Sequence, residues 1–317
     1  MENKILNTDV LSKEYINNII PSKFLDVEIQ GITTGNIMLD KMIGCNGIPK
    51  GRITEIYGNE SCGKTTLCLQ IARGCTVVKK KVLYIDLEYA LDINYVKAIG
   101  IDTDYFFVAH THSGENAFGM IEDALNNQSF ELIIIDSVAA MQPENEIDTK
   151  IEDINALGSH ARLMSRGIRK IQYALSESQT AIVFINQLRE KIGVTFGNPE
   201  TTTGGKALKF YSSVRLELKK VELIKDGEDK IGIKTKITTV KNKIGIPFQN
   251  TFINIYFGTG FNYLNDILEF AISKNIIHKN GSWYSYKDEK IAQGINQLRN
   301  YFKENEDLLE EVKNLCL

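Results

Sequence analysis

Residues Gly58, Asn59, Glu60, Ser61, Cys62, Gly63, Lys64 and Thr65 spell a complete G-x-x-x-x-G-K-T string, followed by Thr66. Glycines at those two positions let backbone N–H groups turn toward β- and γ-phosphates, Lys64 brings a mobile positive charge, and the Thr65 hydroxyl is placed for Mg²⁺. The string follows a β-rich run, Arg52–Tyr57, and opens a helix-forming stretch, Thr66–Ala72. A helix N-terminus adds partial positive charge where the phosphates would sit. A Gly-rich turn with a solvated lysine lacks this strand-to-helix context, so the spacing specifies a nucleoside triphosphate site. Cys62 is expected to lie beside the phosphates, with nucleotide slowing alkylation of its thiol.

Two acidic positions complete the candidate chemistry. The run Leu132–Ile135 is a buried apolar strand that ends in Asp136, where a carboxylate can hold Mg²⁺ through water; the same residue would serve equally as a helix N-cap. Glu88 follows the strand Val82–Asp86, and a parallel sheet brings it to the edge that carries Lys64 and Asp136. There it either orients an attacking water or is a solvated loop glutamate. His110 and His112, two apart on a strand, share a face but have no evident third metal ligand, and they read as ordinary polar histidines.

These residues need a sheet with parallel strands to bring them together. Ile53–Tyr57, Val82–Asp86, Tyr105–Val108, Leu132–Asp136 and Ala181–Asn186 alternate with helical patterns, which predicts an α/β fold with a mostly parallel central sheet flanked by helices. Val214–Val221, Ile233–Val240 and Thr251–Phe257 follow without helices between them, so the sheet should finish antiparallel. A short amphipathic helical segment precedes the core and stops at Pro21. Beyond Gly260 a helical stripe, an Asn280-Gly281 hairpin turn and two further helical patterns predict a small α+β domain. The expected division is 1–31, 32–259 and 260–317.

The chain has 317 residues, 43% apolar and 24% charged, with no long uncharged apolar run, which excludes a spanning segment and points to the cytoplasm. Five cysteines, an odd number without a C-x-x-C pair, exclude a disulfide framework and a zinc site. A net charge of −3 means that any nucleic-acid contact must come from local basic patches. Arg162, Arg166, Arg169 and Lys170 supply one, falling at i, i+4, i+7 and i+8 on one helix face. Such a face contacts phosphates, and a solvated charged face has the same spacing.

Several strings together are specific. Gly58–Thr66, Tyr84–Asp92, Phe184–Gln187, Ile192–Gly205, Ala207–Tyr211 and Val240–Lys243 resemble, in the right order, the bacterial RecA recombinase family, from about Ile32 to about Gly294. The resemblance implies a RecA-type phosphate-loop ATPase core that uses ATP and Mg²⁺. It implies a homologous-recombination protein that polymerises on single-stranded DNA as a homo-oligomeric helical filament and exchanges strands with homologous duplex DNA. A self-cleaving repressor is a further implied partner, and the N-terminal segment an oligomerisation element.

Carried onto this sequence, the resemblance makes Glu88 the carboxylate that positions water and Gln187 the sensor between the γ-phosphate and the DNA loop. Tyr95 would stack on adenine and Asp92 would contact it. Lys241 and Lys243, by spacing only same-face lysines on a strand, become the pair that reaches a neighbouring subunit's ATP. Arg162, Ser165 and Arg169 would follow a first DNA loop near Asp153–Gly158. A second loop, Leu188–Gly205, would contribute Arg189, Ile192 wedged between bases, Gly204 and Gly205 donating N–H groups to phosphates, and Lys206.

The sequence also departs from the family. Cys62 and Asn59 stand where serine and proline are usual, the first DNA loop is one residue longer, and Lys206 replaces a usual asparagine. The usual Gly-Lys-Gly-Ser run is not found near the start. In place of a long acidic tail, Lys303–Leu317 reads as a packed amphipathic helix, an arrangement expected to ease engagement of duplex DNA.

Overall fold

The period-2 logic of a buried strand is visible in Leu132–Asp136. Leu132 and Ile134 join one core cluster, and Ile133 and Ile135 join the cluster on the other face of the sheet. A strand that is apolar at every position must be covered on both sides, which is the condition for a parallel sheet between helices. The structure, a computed structural model, describes residues 28–147, 149, 158–190 and 200–316. The expected helical segment before residue 28, residues 153–157 of the first DNA loop and Ile192 of the second lie outside the described residues.

In chain order the strands are β1 (Gly31–Ile32), β2 (Ile48–Pro49), β3 (Ile53–Gly58), β4 (Val82–Asp86), β5 (Phe106–His110), β6 (Leu132–Asp136), β7 (Ala181–Glu190), β8 (Glu200–Thr202), β9 (Val214–Asp226), β10 (Asp229–Asn242), β11 (Asn250–Tyr256), β12 (Gly260–Phe261), β13 (His278–Asn280), β14 (Trp283–Tyr286) and β15 (Glu289–Gln293). The large sheet runs β12-β11-β10-β9-β3-β7-β6-β4-β5, with β8 attached to β7. From β9 to β5 the pairings are parallel, and from β9 to β12 they are antiparallel, the mixed order expected. Parallel alignment sends the carboxyl ends of β3, β4, β6 and β7 to one edge, where a ligand crevice forms.

Helices Ile37–Ile43 and Lys64–Thr76 flank one face of the sheet; Gly114–Asn126, Ser159–Ser176 and the short Ala207–Tyr211 cover the other. The C-terminal region packs the sheet β13-β14-β15 with helices Tyr263–Ser273, Ile295–Glu304 and Glu306–Cys316 around Leu268, Phe270, Leu298 and Phe302. Among the described residues, no helix is long and apolar enough to cross a membrane.

Several boundaries differ from expectation. The phosphate-loop helix begins at Lys64, two residues before the expected start, and runs to Thr76. β5 starts after a 3₁₀ turn at Thr103–Tyr105 and reaches His110, and β7 continues to Glu190 because Leu188, Arg189 and Glu190 pair with Thr202, Thr201 and Glu200. Gly260 and Phe261 pair with β11, so the large sheet extends past the boundary expected at residue 259. The expected Lys303–Leu317 helix is interrupted at Asn305, whose backbone leaves the helical region (φ −124, ψ 69).

Candidate active site

The phosphate loop turns sharply because two positions tolerate no side chain. A Cβ on Gly58 would lie 2.3 Å from the Leu218 carbonyl oxygen, and one on Gly63, at φ +93, would lie 2.1 Å from Ile255 Cδ1. Gly63 is also the N-cap of the helix Lys64–Thr76 and supplies no side chain there, so the first-turn N–H groups have no side-chain acceptor from the cap. Lys64 Nζ donates to the carbonyls of Gly58 (3.1 Å) and Asn59 (2.7 Å), folding back over the loop. Asn59, Glu60 and Ser61 are exposed at the mouth of a cleft of about 580 Å³.

Acidic groups from β4 and β6 line the other wall of this cleft. Thr65 Oγ1 donates to Asp136 Oδ2 at 3.0 Å, and the Tyr84 hydroxyl donates to the same oxygen at 2.5 Å. Burial pushes the Asp136 carboxyl up to about 6; Glu88 adds to the rise, whereas the bonds from Tyr84 and Thr65 oppose it. Glu88 Oε1 accepts from Ser137 Oγ (2.5 Å) and from Gln187 Nε2 (3.2 Å). The turn carrying Glu88 is pinned by the buried Asp86, whose carboxylate accepts from the backbone N–H groups of Glu88, Ala90 and Leu91. Lys64, Thr65, Glu88, Asp136 and Gln187 therefore meet in one cleft. Loop N–H groups, an ammonium and a hydroxyl on a carboxylate form a donor set that fits a triphosphate with its divalent cation.

Thr66 and Tyr95 share a hydrogen bond of 2.9 Å, and Asp92 caps the helix Ile93–Ile99 by accepting from Asn94 N–H at 2.8 Å. Neither Tyr95 nor Asp92 lines the phosphate cleft. Cys62 departs from expectation: its side chain is 2% exposed, sits in the core cluster, and burial raises its thiol pKa. Its Sγ lies 2.9 Å from where a Gly58 Cβ would be and 3.9 Å from Lys64 Nζ, and Cys62 is not among the residues lining the cleft. His110 and His112 stack on Tyr89, with ring centroids 4.8 and 4.6 Å apart, and among the described residues no cluster of ligands for a metal ion forms.

Lys241 and Lys243 lie apart from this cleft. Lys241, on β10, donates to the carbonyls of Lys209 and Phe210, both at 2.8 Å, at the C-terminal end of the helix Ala207–Tyr211. Burial and the neighbouring Lys243 lower its pKa. Lys243 is exposed. Arg162, Arg166, Arg169 and Lys170 are exposed along the helix Ser159–Ser176, with Ser165 half-buried between them; Lys170 pairs with Glu122 at 2.5 Å. Arg189, Gly205 and Lys206 are exposed, whereas Gly204 is buried, its φ of +80 turning the chain beside Val138 and Met164.

Sequence reasoning missed the supporting groups. Tyr84, Asp86 and Ser137 flank residues already singled out, and a strand-terminal Asp86 was a usable signal. Glu55, the one charge in the buried strand β3, was another: fully buried, it pairs with Arg215 at 2.5 Å.

A phosphate loop after β3, faced by carboxylates at the ends of β4 and β6 on the same sheet edge, defines the class as a phosphate-loop ATPase. The RecA N-terminal domain matches residues 10–262 and the RecA C-terminal domain residues 265–316. Protein RecA of Ureaplasma parvum serovar 3 is 51% identical over 298 residues, covering 94% of this chain and 89% of that protein. Protein RecA of Malacoplasma penetrans is 49% identical over 286 residues (90% and 87% of the two chains), and that of Mycoplasma genitalium 46% over 306 (95% and 90%). The chain belongs to the RecA family. It is a recombinase of DNA recombination and repair, a nucleotide-using, DNA-dependent ATPase that forms filaments.

Proposed function

We propose that this chain hydrolyses ATP with Mg²⁺ in the cleft between Gly58 and Asp136 and uses the cycle to pair single-stranded DNA with a homologous duplex. The loop N–H groups and Lys64 bind the triphosphate, and Thr65 with Asp136 holds the cation, which when bound neutralises charge on the transferring phosphoryl group. Glu88, oriented by Ser137, holds the water in line. Tyr95 and Asp92 take the base from the side of the helix Ile93–Ile99. Lys241 and Lys243 act on the neighbouring subunit's nucleotide, so the site is complete only in a filament.

Single-stranded DNA runs along Arg162, Ser165 and Arg169, and meets Arg189, Ile192, Gly204, Gly205 and Lys206 on the second loop. Residues 1–31 serve assembly, 32–261 the core, whose sheet includes Gly260 and Phe261, and the residues beyond them a small C-terminal domain. The protein acts in the cytoplasm, a setting that suits five free, buried thiols. The observation that carries this reading is β7: one strand presents Gln187 in the cleft and continues through Arg189 to the base of the second loop.

Hydrolysis of ATP measured with and without single-stranded DNA, followed by strand exchange, tests it. Hydrolysis should rise on DNA, and Lys64→Ala should abolish both hydrolysis and ATP-dependent DNA binding. Normal ATP affinity in that variant would remove Lys64 from the site.

A further inference from the structure

A buried polar chain on one face of the sheet is not used by the chemistry above. Arg215 on β9 donates from Nε to Glu55 Oε2 at 2.5 Å, and Asn186 on β7 donates from Nδ2 to Glu55 Oε1 at 2.9 Å. Glu55 and Asn186 are fully buried, and the Arg215 guanidinium lies 4.6 Å from the Tyr57 ring centroid. Asn186 then clasps Thr203: its Oδ1 accepts from Thr203 Oγ1 (2.5 Å), and its Nδ2 donates to the Thr203 carbonyl (3.1 Å). The same Oδ1 accepts from the N–H of Gln187 at 2.8 Å.

The Asn186 amide thus uses both acceptor positions and both donors. Its orientation is forced, because a flipped amide would set its oxygen against the Glu55 carboxylate and its NH₂ against the Gln187 N–H. Asn186 precedes the second loop and Thr203 lies close to its far end, and the residue after Asn186 carries the amide that contacts Glu88. Arg215 lies opposite Lys241 in the β9–β10 register. The chain of contacts therefore runs from the loop base, past Gln187, to the strand bearing the lysine assigned to the neighbour.

We propose that Glu55, anchored by Arg215, is a positioning residue that holds Asn186 as a clasp, and that the Thr203–Asn186 contact couples closure of the second loop's base to placement of Gln187. A fully satisfied buried network has one low-energy arrangement, so moving Thr203 disturbs the Gln187 backbone directly. This rests on the reading of the cleft as an ATP site and of the second loop as a DNA contact.

Thr203→Val keeps the shape and removes only the hydroxyl donor; Thr203→Ser restores it. Affinity of the full chain for single-stranded poly(dT) is measured with ADP and with a slowly hydrolysed ATP analogue, and affinity for the analogue with and without DNA. In the unaltered chain the two ratios must agree, since coupling is reciprocal. In Thr203→Val both should fall by about tenfold, within the usual range of such couplings, while ADP-state DNA affinity and DNA-free analogue affinity stay unchanged and Thr203→Ser recovers the ratio. A wild-type ratio in Thr203→Val, an equal loss in both nucleotide states, or no rescue by serine overturns the proposal. Hydrogen exchange gives a second reading on the unaltered chain: DNA plus analogue should slow the Gln187 amide at least tenfold over ADP, and unchanged exchange overturns it. If the unaltered chain shows no coupling between nucleotide and DNA, the parent reading fails, and this inference with it.

Discussion

Gln187 Nε2 lies 3.2 Å from Glu88 Oε1, and Ser137 Oγ donates to that same oxygen at 2.5 Å. One carboxylate oxygen is thereby held from β7 and from Ser137, the residue just after β6, within the cleft. Glu88→Gln keeps the size but loses the charge that orients water. Hydrolysis should fall by about 10²- to 10⁴-fold while ATP-dependent DNA binding persists, so long-lived filaments accumulate. Single-turnover hydrolysis alongside a DNA-binding assay checks this; weakened binding in step with hydrolysis would contradict it.

Asp136 gives a pH signature. Its folded-state pKa of about 6 stands above the ordinary 3.8, so the folded chain binds the proton more tightly between those values. The stability this group contributes is present in full below about pH 4 and is lost as pH rises through about 6. Asp136→Asn should therefore melt higher than the unaltered chain near pH 8, by at most about 3 kcal/mol, with the gap closing below about pH 4. Mg²⁺-supported nucleotide binding should run the other way, weakening in the unaltered chain as pH falls below about 6 and lost in the variant throughout. Calorimetry of nucleotide-free protein and a binding titration across pH read the two trends.

Lys241 spends its donors on the Lys209 and Phe210 carbonyls. These take two of the three ammonium donors, so acting on a neighbour's phosphate uses the third or exchanges one of these bonds. Replacing Lys241 and Lys243 together by Ala should leave ATP binding to the monomer unchanged and lower DNA-stimulated hydrolysis by about 10³-fold, the scale of a lost trans-acting cation. Mixed with Glu88→Gln protein, the double variant should regain hydrolysis at interfaces that pair an intact Glu88 with intact lysines. Two variants that co-assemble and stay inactive would rule out the shared site.

The buried Cys62 thiol, raised in pKa by desolvation, should react slowly with an alkylating reagent even without nucleotide. Labelling followed by mass spectrometry should show no more than a small protection by ATP. Fast labelling relieved by ATP would restore the expectation that the thiol faces the phosphates.

Where local chemistry dictates structure, the sequence was readable. The phosphate loop, the five parallel strands around it and the Asp136 and Glu88 positions each rest on a run of neighbouring residues whose period or spacing has one economical solution. What was missed is set by partners far along the chain. Glu55, Asn186, Thr203 and Arg215 meet only through sheet register, and β7 extends to Glu190 only because Thr202, Thr201 and Glu200 return to pair with it. Cys62 packs beside Gly58 where that residue approaches Leu218 of β9, a contact between distant parts of the chain that no local pattern records. The break at Asn305 competes with a continuous apolar stripe and wins because its Nδ2 takes up the Tyr301 carbonyl at 2.8 Å.

The central position of β3 sets the order in which the chain can be assembled during synthesis. Its two neighbours begin at Ala181 and Val214, so Ile53–Gly58 has no partner for either edge until more than half the polypeptide has been made. At ordinary elongation rates that interval is on the order of ten seconds. An apolar strand with both edges open is an aggregation template for that time. Glu55, buried and paired once folded, is a charge in the middle of that strand while it waits, and a charge there opposes edge-to-edge association. The residue that anchors the finished network thus also guards the nascent chain.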